Sequence, residues 1–228
     1  MALPSTACLL LGADRIAAID TLRLYHYTHS VPSGKTHYYR CGDALVSFSI
    51  PPNNNIARFV LGRDATGGKC GVWELSRMWA PDNHARDLLT RAISLAVIEF
   101  HTLEPVVEAL ISYADPNVGH SGHVYAAASW TYAGRSEESR YYIGTDGLPV
   151  ARRKFHSGHS FIRKADILAL GYREVLRPGK LRYVRGLTRR ARVDIRARWN
   201  EQRPRPTVRE LVLSHRRKYQ SGMEGLGE

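Results

Sequence analysis

Apolar positions recur along this chain with two periods. Over residues 84–101, Leu88, Leu89, Ala92, Ile93, Ala96, Val97 and Phe100 fall at i, i+3, i+4 spacing. That stripe predicts an amphipathic helix lying on a core, with Asp82 or Asn83 as its cap. Ahead of it, residues 70–79 alternate and predict a strand with Trp73, Leu75, Arg77 and Trp79 on one face. An arginine sharing a face with two tryptophans and a leucine is either paired in the core or lines a site. After the helix, the apolar run 109–113 reads as a buried strand. It stops at Asp115-Pro116, because proline cannot continue a central strand. The turn Asn117-Val118-Gly119 leads into a short helix over 121–129, with Ser121 as its N-cap, and then a strand over 130–133. Strand, helix, strand, helix, strand in this order predicts a right-handed crossover with at least two parallel neighbours. Asp115 and His120 then sit at the rim where a strand gives way to a helix, the place at which open α/β sheets hold ligands.

The flanks are less periodic. Residues 16–24 fit a first strand or a short helix. Residues 36–40, 44–50 and 57–61 read as short strands, the first two as a hairpin. Further on, 140–144 and 181–185 read as strands and 163–170 as a helix ended by Gly171. The fold class is therefore α/β (α+β), a mixed twisted sheet flanked by helices. Residues 1–186 form one folded domain in this reading, which the resemblance described below implies is catalytic. Residues 187–228 form a basic C-terminal arm that orders on a partner.

Charge changes the picture more than composition does. The chain carries 33 Lys+Arg against 21 Asp+Glu. Residues 1–150 hold 12 basic and 14 acidic groups, a net of 12 − 14 = −2; residues 151–228 hold 21 and 7, a net of 21 − 7 = +14. A one-sided field of that size attracts a polyanion by counterion release, and nucleic acid is the first expectation. The cysteines Cys8, Cys41 and Cys70 have neither zinc spacing nor a disulfide framework, which fits a reducing cytoplasm. Residues 2–13 are mildly apolar but lack the basic start of a signal peptide, and no run reaches the ~20 apolar residues of a spanning helix. A membrane partner is not expected.

One stretch is more specific. Ser112-Tyr113-Ala114-Asp115-Pro116 is followed by Gly119-His120, Gly122, Val124-Tyr125, Ala127, Trp130, Tyr132 and Gly134. Together with the upstream Leu75-Ser76-Arg77 strand and the His26-Tyr27 segment, this pattern resembles the Mom family of phage DNA-modification proteins. The likeness covers roughly residues 20–185. The element order is similar to the GNAT acyltransferase fold. The resemblance implies an enzyme that adds a carbamoylmethyl (acetamido) group to the exocyclic N6 of adenine in DNA, protecting phage DNA from host restriction. It implies Arg77, Ser112, Asp115, Tyr125 and His26 as catalytic residues, with Tyr25, Tyr27 and Tyr39 beside them. It also implies chemistry beyond a plain thioester, with acetyl-CoA or another acyl or glycyl donor, and iron as a candidate metal at His26. A regular GNAT has a glycine-rich turn at the start of its long helix, whose N–H groups cradle a pyrophosphate. Here the matching stretch, Met78-Trp79-Ala80-Pro81-Asp82-Asn83-His84-Ala85, has no glycine and carries an aspartate.

The residues themselves suggest roles. Asp115 is a hydrogen-bond acceptor for the amine or a general base, or else an Asx-type cap of the turn at Pro116. Arg77 suits a carboxylate, phosphate or donor carbonyl. Tyr125 is a general acid or a core aromatic, and Ser112 supports the site. Tyr25, Tyr27 and Tyr39 stack on a base or pack on the sheet, while His120 caps the helix or touches a phosphate. Chemistry on adenine N6 in double-stranded DNA needs the base extruded and the backbone gripped. Arg152, Arg153, Lys154, Arg163, Lys164, Arg189, Arg190 and Arg192 are the expected backbone contacts. The competing readings are an N-acetyltransferase acting on another amine and a non-enzymatic DNA-binding protein.

Overall fold

In chain order the elements are β1 (Cys8–Leu9), α1 (Gly12–Tyr25), β2 (Thr36–Cys41), β3 (Ala44–Ser49), α2 (Ile56–Leu61), β4 (Val72–Trp79), α3 (Leu88–Leu103) and β5 (Ala109–Ala114). They continue with α4 (His123–Ala127), β6 (Thr131–Arg135), β7 (Ser139–Ile143), β8 (Pro149–Ala151), α5 (Lys164–Ala169), β9 (Arg173–Arg177), β10 (Leu181–Gly186) and α6 (Arg189–Arg198). This computed structural model describes residues 4–145, 147, 149–151, 155 and 162–199. Seven strands form one mixed sheet in the order β1-β2-β3-β4-β5-β10-β6, and β8-β7-β9 form a second. The expected mixed sheet flanked by helices is what the chain builds.

The predicted stripe of α3 is buried as a unit. Leu88, Ala92, Ile93, Ala96, Val97 and Phe100 meet Trp73, Phe48, Leu110 and Tyr125 on one face of the sheet. The helix starts four residues later than its pattern suggests. Residues 81–84 close a turn (His84 N–H to the Pro81 carbonyl, 3.1 Å), so Asp87 becomes the cap in place of Asp82 or Asn83. α4 likewise starts after Gly122, whose φ of 73° makes it the cap in place of Ser121. The opposite face carries α1, α2 and α6. Residues 57–61 are helical in α2, not a strand. Ile56, Ala57, Val60 and Leu61 point one side into the core, a spacing that a six-residue apolar run leaves ambiguous in sequence. Only β4 and β5 are parallel in the crossover. β10 inserts between β5 and β6, antiparallel to both.

α6 is part of this packing. Ala191 and Ile195 are buried against Val184, Ala109 and α2, and the Trp199 indole N–H donates to the Val60 carbonyl at 3.1 Å. Arg63 clamps the helix. Its guanidinium bonds Glu108 at 2.6 Å and Asp194 at 2.9 Å. Arg189, Arg190 and Arg192, assigned to an arm from sequence, therefore belong to a docked helix. Residues 200–228 and Arg152, Arg153 and Lys154 lie outside the described residues.

The Arg63 hydrogen bond, ahead of other causes, holds the buried Glu108 carboxyl below its ordinary range. A carboxyl lowered on folding contributes stability above its unfolded pKa of about 4.3 and loses that contribution as pH falls through its folded value. Arg63→Gln is expected to cost about 2 kcal/mol near neutral pH. Thermal melts should show the gap between wild type and variant closing as the pH drops below about 4. A gap that is constant with pH would contradict the clamp.

Candidate active site

The site begins where β4 and β5 part. Their parallel ladder runs from Val72–Ala109 to Leu75–Ser112 and stops there. β4 continues against β3 alone, and β5 against β10. The parting coincides with a bulge. Ser47 pairs with Arg77 and Phe48 with Leu75, which leaves Ser76 as the extra residue. The bulge also corrects the predicted face of β4. Trp73 and Leu75 face α3, whereas Arg77 shares a face with its partner Ser47, on the α1 side. One inserted residue inverts every side chain beyond it.

Ser112 sits in the crotch of this fork. Its Oγ is 2.8 Å from the Leu75 carbonyl and 2.9 Å from the Tyr125 hydroxyl. A serine has one hydrogen and the carbonyl can only accept, so Ser112 donates to Leu75 and the Tyr125 phenol donates to Ser112. Tyr125 comes from α4 and stacks on Tyr183 of β10 at 5.2 Å. Burial pushes its pKa up to about 12, so it remains a neutral donor at physiological pH.

Asp115 follows β5 and is 5% exposed. Its Oδ1 accepts from the Asn117 backbone N–H at 2.9 Å and the Asn117 side-chain amide at 3.0 Å, capping the 3-10 turn Pro116–Val118. The cap reading is thus carried by Oδ1. Oδ2 faces the Lys180 ammonium at 3.6 Å. Asn117 also bonds the Pro178 carbonyl at 3.0 Å, which ties the turn to the segment bearing Lys180.

The loop after α1 closes over the fork. His26 is buried. Its Nδ1 accepts from the Thr28 backbone N–H at 3.2 Å, a bond that assigns the neutral ring's proton to Nε2. The Tyr27 ring lies 4.5 Å from the His26 ring and 4.8 Å, edge-on, from His120. Burial, then Asp115 and Tyr125, hold the pKa of the Tyr27 phenol well above the ordinary value, while Arg77 opposes them. Arg77 straps the loop to β4: its Nε donates to the Ser30 carbonyl at 2.8 Å and one terminal nitrogen to the Ser30 hydroxyl at 3.2 Å.

The structure therefore gathers His26, Tyr27, Arg77, Ser112, Asp115, His120 and Tyr125. It does not gather Tyr39. That ring is 1% exposed in the core, 5.8 Å from Phe48, where period-two alternation in β2 aims it at α3. Tyr25 is 65% exposed and stacks on Trp79. Arg163 pairs with Asp166, and Lys164 pairs with Glu174, which Arg140 also approaches at 3.9 Å. Sequence reasoning missed Lys180, Asn117 and Tyr183. Lys180 and Tyr183 come from the inserted strand and its approach, some 60 residues beyond the turn they support, with no local signal. Among the described residues no three His, Cys, Asp or Glu side chains are grouped to hold a metal ion. None of their helices is long and apolar enough to cross a membrane.

Residues 10–206 match the family described as the Mom protein family. The chain belongs to the Mom family. A curated relative, the "Methylcarbamoylase mom" of Escherichia phage Mu, is 38% identical over 95 residues. That alignment takes in 42% of this Mom-family chain and 37% of the relative, so it spans little more than a third of the relative's length. A solved structure of AAC(6')-Ib in complex with paromomycin and acetyl-CoA aligns over 69% of this chain and 98% of that one, with 14% identity and a TM-score of 0.38.

Proposed function

We propose that this chain transfers a carbamoylmethyl group to the N6 amine of adenine in double-stranded DNA, in the cytoplasm of an infected bacterium, and that DNA so modified resists restriction. Family membership and the relative's name support the reaction class. The observation that carries the reading is the fork itself: Ser112 bonded to Tyr125 at 2.9 Å, the Asp115 cap at the end of β5, and Tyr27 packed against the His26 and His120 rings.

N6 lies inside the base stack, so the adenine must be extruded into this pocket. Asp115 Oδ2, with Oδ1 held by the cap, accepts a hydrogen bond from the amine and takes its proton. Tyr27 is a neutral donor whose ring is packed against His26 and His120. Arg77 acts through the loop it straps, and Ser112 with Tyr125 fixes the fork. The transfer forms a bond from N6 to the donor's methylene carbon, breaks the bond from that carbon to its leaving group, and releases one N6 proton. The donor is a carbamoylmethyl unit bearing such a leaving group. Coenzyme A's pyrophosphate does not fit the usual GNAT position, since residues 78–87 contain no glycine and carry Asp82 and Asp87. Iron lacks a three-residue ligand set among the described residues.

DNA from cells expressing the protein is hydrolysed and its nucleosides are weighed by mass spectrometry. Carbamoylmethyl-deoxyadenosine is the expected product. An acetyl adduct on a different amine would favour an ordinary acetyltransferase, and unmodified nucleosides would overturn the proposal.

A further inference from the structure

A cleft of about 300 Å³ opens between the start of β6, the end of β10 and α6, away from the fork. Three arginines line it: Arg185 from β10, and Arg192 and Arg196 one turn apart on α6. Trp199, Ser129 and Thr131 complete its wall. Arg192, Arg196 and Trp199 follow i, i+4, i+7, so they form one stripe on the helix. α6 reaches the strand because residue 186 is glycine; a Cβ there would lie 2.6 Å from the Arg192 backbone nitrogen.

The charges in this cleft are unbalanced. Arg185 is partly buried and donates to the Ala128 carbonyl at 2.7 Å. Burial, and then Arg192, pull its pKa down. Among the described residues no carboxylate forms an ion pair with Arg185, Arg192 or Arg196. The one acid of α6, Asp194, is turned away and held by Arg63. A partly desolvated cation beside two others calls for an anion.

We propose that this cleft binds a backbone phosphate of the DNA substrate, away from the adenine in the fork. The inference rests on DNA being the substrate. Arg185 pairs with Leu110 on β5, five residues before Asp115, which sets the two sites about 16–17 Å apart along the strand at ~3.3 Å per residue. A duplex covers that distance in roughly four to five base pairs at ~3.4 Å each. The Ala128 carbonyl held by Arg185 closes α4, the helix that carries Tyr125, so the cleft and the fork share one support.

The test is a fluorescence-anisotropy titration of a labelled duplex by the full chain, between about 50 and 200 mM salt. The double variant Arg192→Gln/Arg196→Gln should lower the slope of log K against log salt by about 0.9, the value for one lost phosphate contact. Arg192→Lys/Arg196→Lys should keep a slope near that of wild type. Circular dichroism melts confirm that both variants are folded. An unchanged slope in the Gln variant, or an equal loss in the Lys variant, would overturn the cleft. So would loss of inorganic pyrophosphate binding with an unchanged DNA slope, which would assign the cleft to a small diphosphate. The slope is read without turnover. A protein that loses slope as expected yet modifies no adenine would sink the reaction and leave the cleft standing; normal modification with an unchanged slope would do the reverse.

Discussion

Asp115→Asn is expected to lower the yield of modified adenine by about a hundredfold or more, the contribution of a positioned acid–base group, while leaving the fold intact. Asparagine caps as well as aspartate does, so its oxygen keeps the bonds to Asn117 that now fall on Oδ1. What the variant loses is the charge opposite Lys180 and the oxygen able to take a proton. Asp115→Ala should lose the same activity and, in addition, about 1 kcal/mol of stability with the cap. Nucleoside mass spectrometry beside thermal melting separates the two effects. A normal adduct yield from Asp115→Asn would reduce Asp115 to a cap.

Gly122→Ala is expected to destabilise the chain by about 2–4 kcal/mol, adding a left-handed backbone to an overpacked core. A Cβ at this position would lie 2.3–2.5 Å from the Tyr183 ring. That ring cannot yield cheaply, because it is buried between Tyr125 at 5.2 Å and Tyr132 at 5.8 Å. Pushing Tyr183 pushes Tyr125, so the adduct should fall together with stability. Gly171→Ala is the control. Its φ is +85° but nothing lies within 4 Å, so it should cost only about 1–2 kcal/mol. Equal costs at the two glycines in urea titrations would contradict the packing account.

The turn from Asp115 through Tyr125 was legible in sequence because proline, glycines and the apolar run all mark it locally. The α3 stripe was legible for the same reason. What failed was non-local. The alternation through Arg77 says nothing of a bulge at Ser76, which is set by the competition of β3 and β5 for one strand. Tyr27 and Tyr39 look alike in sequence, yet one closes the site and the other fills the core. Lys180 joins Asp115 only because β10 inserts into the sheet. The basic run at 189–198 reads as an arm until its two buried apolar residues, Ala191 and Ile195, are set against α2.

The central claim is that adenine N6 enters the fork. A duplex carrying a photoreactive group on N6, irradiated with the full-length protein and digested, tests it most directly. The account predicts crosslinks on peptides bearing Tyr27, Asp115 or His120, and their loss when unlabelled duplex competes. Crosslinks confined to α6 or to the β7–β9 sheet would contradict it.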